Sequence, residues 1–136
     1  MFHKRRKSFN MNNAFYKNLS LLILRLVFGG LMLLHGLPKF LKLINGDTSF
    51  ADPFGMGAFP SLLLTVFAEF FCAIFVMVGF KTRWTVIPLI ITMLTAAFII
   101  HGSDPLKEKE MALLYLGGYL PLLFLGGGKF SVDKIL

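Results

Sequence analysis

A glutamate stands inside an otherwise apolar run, Glu69 within PSLLLTVFAEFFCAIFVMVG (Pro60 to Gly79), and that placement constrains the chain more than any other feature. A run of this length suits a helix that crosses about 30 Å of hydrocarbon at 1.5 Å per residue. An ionisable group at such depth is expensive without a partner, and it marks a pairing or functional site. One opposite charge is offered by a second apolar run, where Arg25 lies within SLLILRLVFGGLMLLHGLPKFLKL (Ser20 to Leu43).

Four segments are long and apolar enough to span: roughly 19–38, 60–79, 84–101 and 110–126. With 56% hydrophobic residues and 16 Phe among 136, the chain exceeds a soluble globular composition and belongs in a lipid bilayer. The runs are continuous rather than alternating, which excludes barrel strands, and open strands would leave backbone groups unsatisfied in lipid. The expected fold is therefore all-α, an integral membrane four-helix bundle over residues 18–136 behind a loose basic cytoplasmic tail, 1–17. Basic residues ahead of the first run also resemble a secretory leader. Against that, the run is longer than a leader's apolar core, contains Arg25, and is followed by no small-x-small cleavage site. The single cysteine, Cys72, falls in the second helix and excludes an intramolecular disulfide.

The net charge of +7 could point to nucleic acid, but its distribution points to topology. With the amino terminus in the cytoplasm, the inner segments hold nine cations: Lys4, Arg5, Arg6, Lys7, Lys17, Lys81, Arg83, Lys129 and Lys134. The outer segments hold four, Lys39, Lys42, Lys107 and Lys109, against five acids. Both termini are then expected to be cytoplasmic, and no nucleic-acid partner is expected. The outer segment Asn45 to Phe59 is rich in Gly, Asp, Pro and Phe and reads equally as a lid folded onto the helices or as a plain connector.

At 100° per residue, Arg25, Gly29, His35, Gly36 and Lys39 share one face of the first helix, where polar groups and small residues suit an interior contact. Arg25 and Glu69 come out at similar membrane depth, so an Arg25–Glu69 ion pair is expected. That pair reads either as a structural clamp or as a catalytic site with Glu69 as proton acceptor. His35, Lys39, His101, Glu108 and Glu110 would gather near the outer surface if their helices pack together. Two histidines and a carboxylate suggest metal, and paired histidines suggest haem, although interfacial side chains with tips in water are the commoner arrangement. Tyr115 and Tyr119, one turn apart, suit a quinone headgroup or simple packing. Gly126-Gly127-Gly128-Lys129 lacks the spacing of a phosphate loop and reads as a helix end.

The segments LRLVFGGLMLLHGLPK, AEFFCAIFVMVGFKTRW and GGGKFSVD, in that order, resemble the DoxX family of small four-helix membrane proteins. The resemblance covers nearly all of the chain after the tail. It implies recurrent roles for Arg25, Gly29, His35, Gly36, Lys39, Glu69, Gly79, Thr82, Arg83 and the Gly128 to Asp133 tail, and a multi-pass place in a bacterial inner membrane. Family members include membrane subunits that work beside a redox partner subunit, and related proteins look like assembly chaperones. Two functions follow as expectations. One is an accessory subunit of a quinone-linked oxidoreductase, with Glu69 and Arg25 as catalytic groups and His35, Lys39, His101 and Tyr115 as quinone contacts. The other is a non-enzymatic scaffold that binds a client protein. A transporter would need the chain to form a homo-oligomer.

Overall fold

The computed structural model describes the backbone of residues 2–135 and the side chains of residues 12–135. Five helices follow one another: α1 (Phe2–Ile44), α2 (Ala58–Val78), α3 (Thr82–Ile100), α4 (Leu106–Leu125) and the short α5 (Val132–Ile135). The described residues contain no strand. The stretch Asn12–Ile44 of α1, together with α2 and α3, gives three helices long and apolar enough to cross a membrane, as an all-helical membrane protein requires. α4 forms where the fourth span was expected, but Lys107, Glu108, Lys109 and Glu110 occupy its first turns. Its uncharged part, 111–125, extends about 22 Å at 1.5 Å per residue.

The loose tail expected at 1–17 is instead helical from Phe2 onward, continuous with the membrane helix. Helix formation is costly to start and inexpensive to extend. No Gly or Pro interrupts the chain before Gly29, and Lys, Arg, Met and Leu are good helix formers.

α1 runs antiparallel to α2, and small residues fix the separation. Leu21, Arg25, Gly29, Met32 and Gly36 form the buried stripe of α1. A methyl group at Gly29 would sit 2.6 Å from Met77 Cγ, and one at Gly36 would overlap the carbonyl of Glu69 and lie 2.8 Å from Phe70 N. Only hydrogen side chains permit this approach of two helices. On the other flank of α1, the ring of Phe28 rests against Gly118 of α4, and Tyr119 Oη donates to Phe28 O at 3.1 Å. Val76, Val86, Leu89, Tyr119 and Leu122 complete a core with no solvent exposure.

Two stretches depart from α-helical hydrogen bonding. Phe67–Cys72 in α2 and Ala96–Ile100 in α3 are π-helical, each adding to the helix the residue that an i→i+5 turn requires. Nothing in the apolar pattern announces either. Pro38, Pro88 and Pro121 lie inside α1, α3 and α4, each without an amide to donate.

The chain between α4 and α5 folds back onto the α2–α3 turn. Gly79, at φ +77°, ends α2 in a left-handed turn, with Phe80 N donating to Phe75 O at 2.9 Å and Gly79 N to Val76 O at 3.2 Å. Lys81 follows at φ +45°, a conformation that costs a side-chain-bearing residue energy. Asp133 holds it there: Oδ1 accepts from Lys81 N at 2.8 Å, Oδ2 from Thr82 N at 3.3 Å, and Asp133 N donates to Gly79 O at 3.2 Å. Lys129 N also donates to Asn18 Oδ1 at 2.9 Å, which ties the same segment to α1.

Candidate functional site

Glu69 occupies the π-helical turn of α2 and is 4% exposed. Its partner is Lys39, whose Nζ donates to Glu69 Oε2 from the carboxy-terminal part of α1, and not Arg25. The expected Arg25–Glu69 pair does not form because the register differs from a count of depth along each apolar run. The close approach at Gly36 places Glu69 beside that glycine, eleven residues beyond Arg25, or about 16 Å along α1. Lys39 lies on the face shared with Arg25, so for these two the face was read correctly and the level was not, whereas His35, expected on the same interior face, is exposed.

Arg25 is itself 1% exposed and serves other groups. Nη1 donates to Met77 O at 3.1 Å and Nη2 to Phe130 O, so the guanidinium clamps the end of α2 to the folded-back segment. Asp133 supplies the acidic charge acting on it through space. Nε has no hydrogen-bond partner among the described residues.

A cavity of about 200 Å³ lies beside the Lys39–Glu69 pair. Ser61, Leu64, Thr65 and Glu69 of α2 form one wall, and Ile91, Thr92, Thr95, Ala96 and Ile100 of α3 form another. The roof is the α1–α2 connection, through Phe50, Pro53, Phe54 and Met56. Of the two readings of Asn45 to Phe59, the lid describes its position. The ring of Phe50 also lies 5.9 Å from Lys39 Nζ, within cation–π range.

Two carboxylates shape this roof. Asp52 accepts from Met56 N and Gly57 N at 2.9 Å each and from Ser61 Oγ at 3.1 Å, pinning the loop to the first turn of α2. Asp47 accepts from Ser49 Oγ at 2.6 Å and Ser49 N at 3.1 Å, bonds that hold its carboxyl below the ordinary carboxylate range.

The remaining candidates fall outside the cavity. His35 is exposed and meets the ring of Tyr115 edge-on, with centroids 6.0 Å apart. Tyr115 is buried between that histidine, Phe28 and Tyr119. His101 Nδ1 bonds Asp104 Oδ2 at 2.8 Å in the α3–α4 connection. The expected gathering of His35, His101 and a glutamate does not occur: among the described residues no three His, Cys, Asp or Glu side chains could hold a metal ion. Each histidine is engaged by its own neighbour, Tyr115 or Asp104.

The site thus combines apolar walls, four hydroxyls (Ser61, Thr65, Thr92 and Thr95) and one ion pair under a loop. Thr65 Oγ1, Thr92 Oγ1 and Thr95 Oγ1 each donate to a carbonyl one turn back, at 2.8, 2.8 and 2.9 Å, leaving their lone pairs free to accept. The π-helical turn was not visible in the sequence, whereas a lid at Asn45 to Phe59 was one of its two readings. Lys39 was visible, as a candidate without an assigned partner.

Comparison with known proteins returns two matches. The family model described as DoxX matches residues 20–102. An uncharacterized protein of Haemophilus influenzae is 30% identical, covering 91% of this chain and 96% of its own. No solved structure matches.

Proposed function

The chain belongs to the DoxX family of membrane proteins, and from that premise we propose that it is a membrane accessory subunit of a quinone-linked redox system. Support comes from the lidded cavity, where the Lys39–Glu69 ion pair lines a space of apolar walls and serine and threonine hydroxyls. Its volume of about 200 Å³ suits a headgroup and is below that of sites which enclose whole drug-sized ligands. A quinone carbonyl accepts a hydrogen bond from Lys39, a quinol hydroxyl donates one to Glu69, and the isoprenoid tail stays in lipid. Reducing the quinone takes two electrons and two protons. The electrons come from a redox partner subunit, and Glu69 and Lys39 hold protons beside the headgroup. In this reading Arg25 clamps the far end of α2 and does not touch the ligand.

Two variants test the proposal. Glu69→Gln keeps the shape and removes the charge, and Thr95→Phe fills the cavity while leaving the ion pair intact. Quinone extracted from the purified protein and quantified by chromatography should fall about tenfold or more in each, in Glu69→Gln from one lost charge-assisted bond and in Thr95→Phe from the space the ring takes up. Quinone content unchanged in Thr95→Phe, or absent from the native protein while a client polypeptide copurifies, would favour the scaffold reading instead.

Within this proposal all four long helices cross a bacterial inner membrane and both termini face the cytoplasm. Lys17, Lys81, Arg83, Lys129 and Lys134 gather at one end of the molecule, as the positive-inside rule favours for a cytoplasmic face. A fluorescent reporter fused after residue 136 should be active when cytoplasmic, and a phosphatase reporter at the same point should be silent. Phosphatase activity would reverse the orientation.

A further inference from the structure

We propose that the groove between α1, the α2–α3 turn and the folded-back segment binds the phosphodiester headgroup of an anionic phospholipid. The groove encloses about 770 Å³ and lies about 30 Å along α1 from the Lys39 cavity. Lys17, Lys81, Arg83, Lys129 and Lys134 line it. None of these five cations forms a salt bridge among the described residues. The one acid in the lining, Asp133, is hydrogen-bonded through both oxygens to the amides of Lys81 and Thr82 and forms no salt bridge with these cations, so five positive charges face one negative.

Positive charge at a cytoplasmic end is ordinary, but its convergence on one concave site is a separate observation. Arg83 provides a planar fork suited to two phosphate oxygens, and the lysines provide mobile point charges. Thr82 lies at the base, 1% exposed, with a hydroxyl that has no hydrogen-bond partner among the described residues. Basic pockets beside membrane helices are a recognised setting for anionic headgroups.

The rim points to lipid as the source of the phosphate. Trp84 lines the groove at 74% exposure, and Leu125 beside it is also exposed. Exposed tryptophan belongs at the headgroup level of a bilayer. A headgroup in the groove would leave its acyl chains to run past Trp84 along the apolar outside of the helices. A soluble phosphate would leave that apolar rim without a role.

Trp84 is the chain's single tryptophan, so its fluorescence reports this site alone. The full chain is placed in phosphatidylcholine nanodiscs and titrated with phosphatidylglycerol brominated on its acyl chains, or with brominated phosphatidylcholine. Half-quenching should need much less of the anionic lipid. Arg83→Gln and Lys129→Gln, both at exposed positions, should each reduce that preference about fivefold, the effect of one basic residue near a membrane surface. Lys107→Gln with Lys109→Gln, which removes charge from the opposite end, should leave it unchanged. Equal quenching by the two lipids, or an equal loss in the far-end variant, would overturn the proposal. Displacement of the anionic lipid by millimolar inorganic phosphate would assign the groove to a soluble ligand and overturn its assignment to lipid.

Discussion

Gly36→Ala should destabilise the protein by about 1–3 kcal/mol, towards the upper end of what overpacking usually costs. The reason is the identity of the obstructing atoms. At Gly36 the added carbon meets the carbonyl of Glu69 and the amide of Phe70, which move only if a helix moves. At Gly30, six residues earlier in α1, the same carbon meets only the terminal methyl of Met77, at 3.8 Å, an ordinary contact. Gly30→Ala is therefore the control and should shift stability little. Thermal unfolding in detergent, followed by circular dichroism, reads both. Gly36→Ala should also separate Lys39 from Glu69, because α1 must back away from the turn that carries the glutamate. If the two variants unfold at the same temperature as the native protein, the close approach does not hold these helices in register.

Arg25→Met should release the carboxy-terminal segment. The substitution keeps much of the apolar stem and removes the donors to Met77 O and Phe130 O. Stranding a buried carbonyl costs about 1–3 kcal/mol, so a total of about 2–6 kcal/mol is expected for the two. The loss should be concentrated where Phe130 was held. Limited trypsin digestion should then cut at Lys129 well before the native protein is cut there. Arg25→Lys should fall between the two, since one ammonium does not reproduce a fork that spans two carbonyls. Headgroup binding near Lys39 should persist in Arg25→Lys, which separates the clamp from the cavity. Unchanged protection of Lys129 in Arg25→Met would refute the clamp.

How these two residues were legible in the sequence differs instructively. That Arg25, Gly29, Gly36 and Lys39 face inward follows from helical periodicity and from the cost of placing charge in lipid. Which residue of α2 each would meet does not follow, because sliding one apolar helix along another changes no hydropathy. Depth counting paired Arg25 with Glu69, whereas the glycine contacts select Lys39. The helical class and the three spanning segments were legible because they rest on length and composition. The helix through the amino-terminal segment was not, since polarity there suggested a tail while propensity favoured continuation. The docking of Asp133 onto the α2–α3 turn was also invisible, being a polar contact between residues more than fifty positions apart.

The π-helical turn at Phe67–Cys72 makes the placement of Glu69 a question of counting. Upstream and downstream of it, α2 is out of phase with itself, as if one residue had been inserted into a regular helix. A single deletion within the turn is the one deletion α2 absorbs without rotating its other residues relative to α1 and α3. It would restore an even α-helix and turn the carboxylate away from Lys39. A deletion elsewhere in α2 would instead swing a whole flank of the helix by about 100°. The helix thus carries the Lys39–Glu69 geometry in a local defect, which can be gained or erased by one codon while the membrane span is preserved.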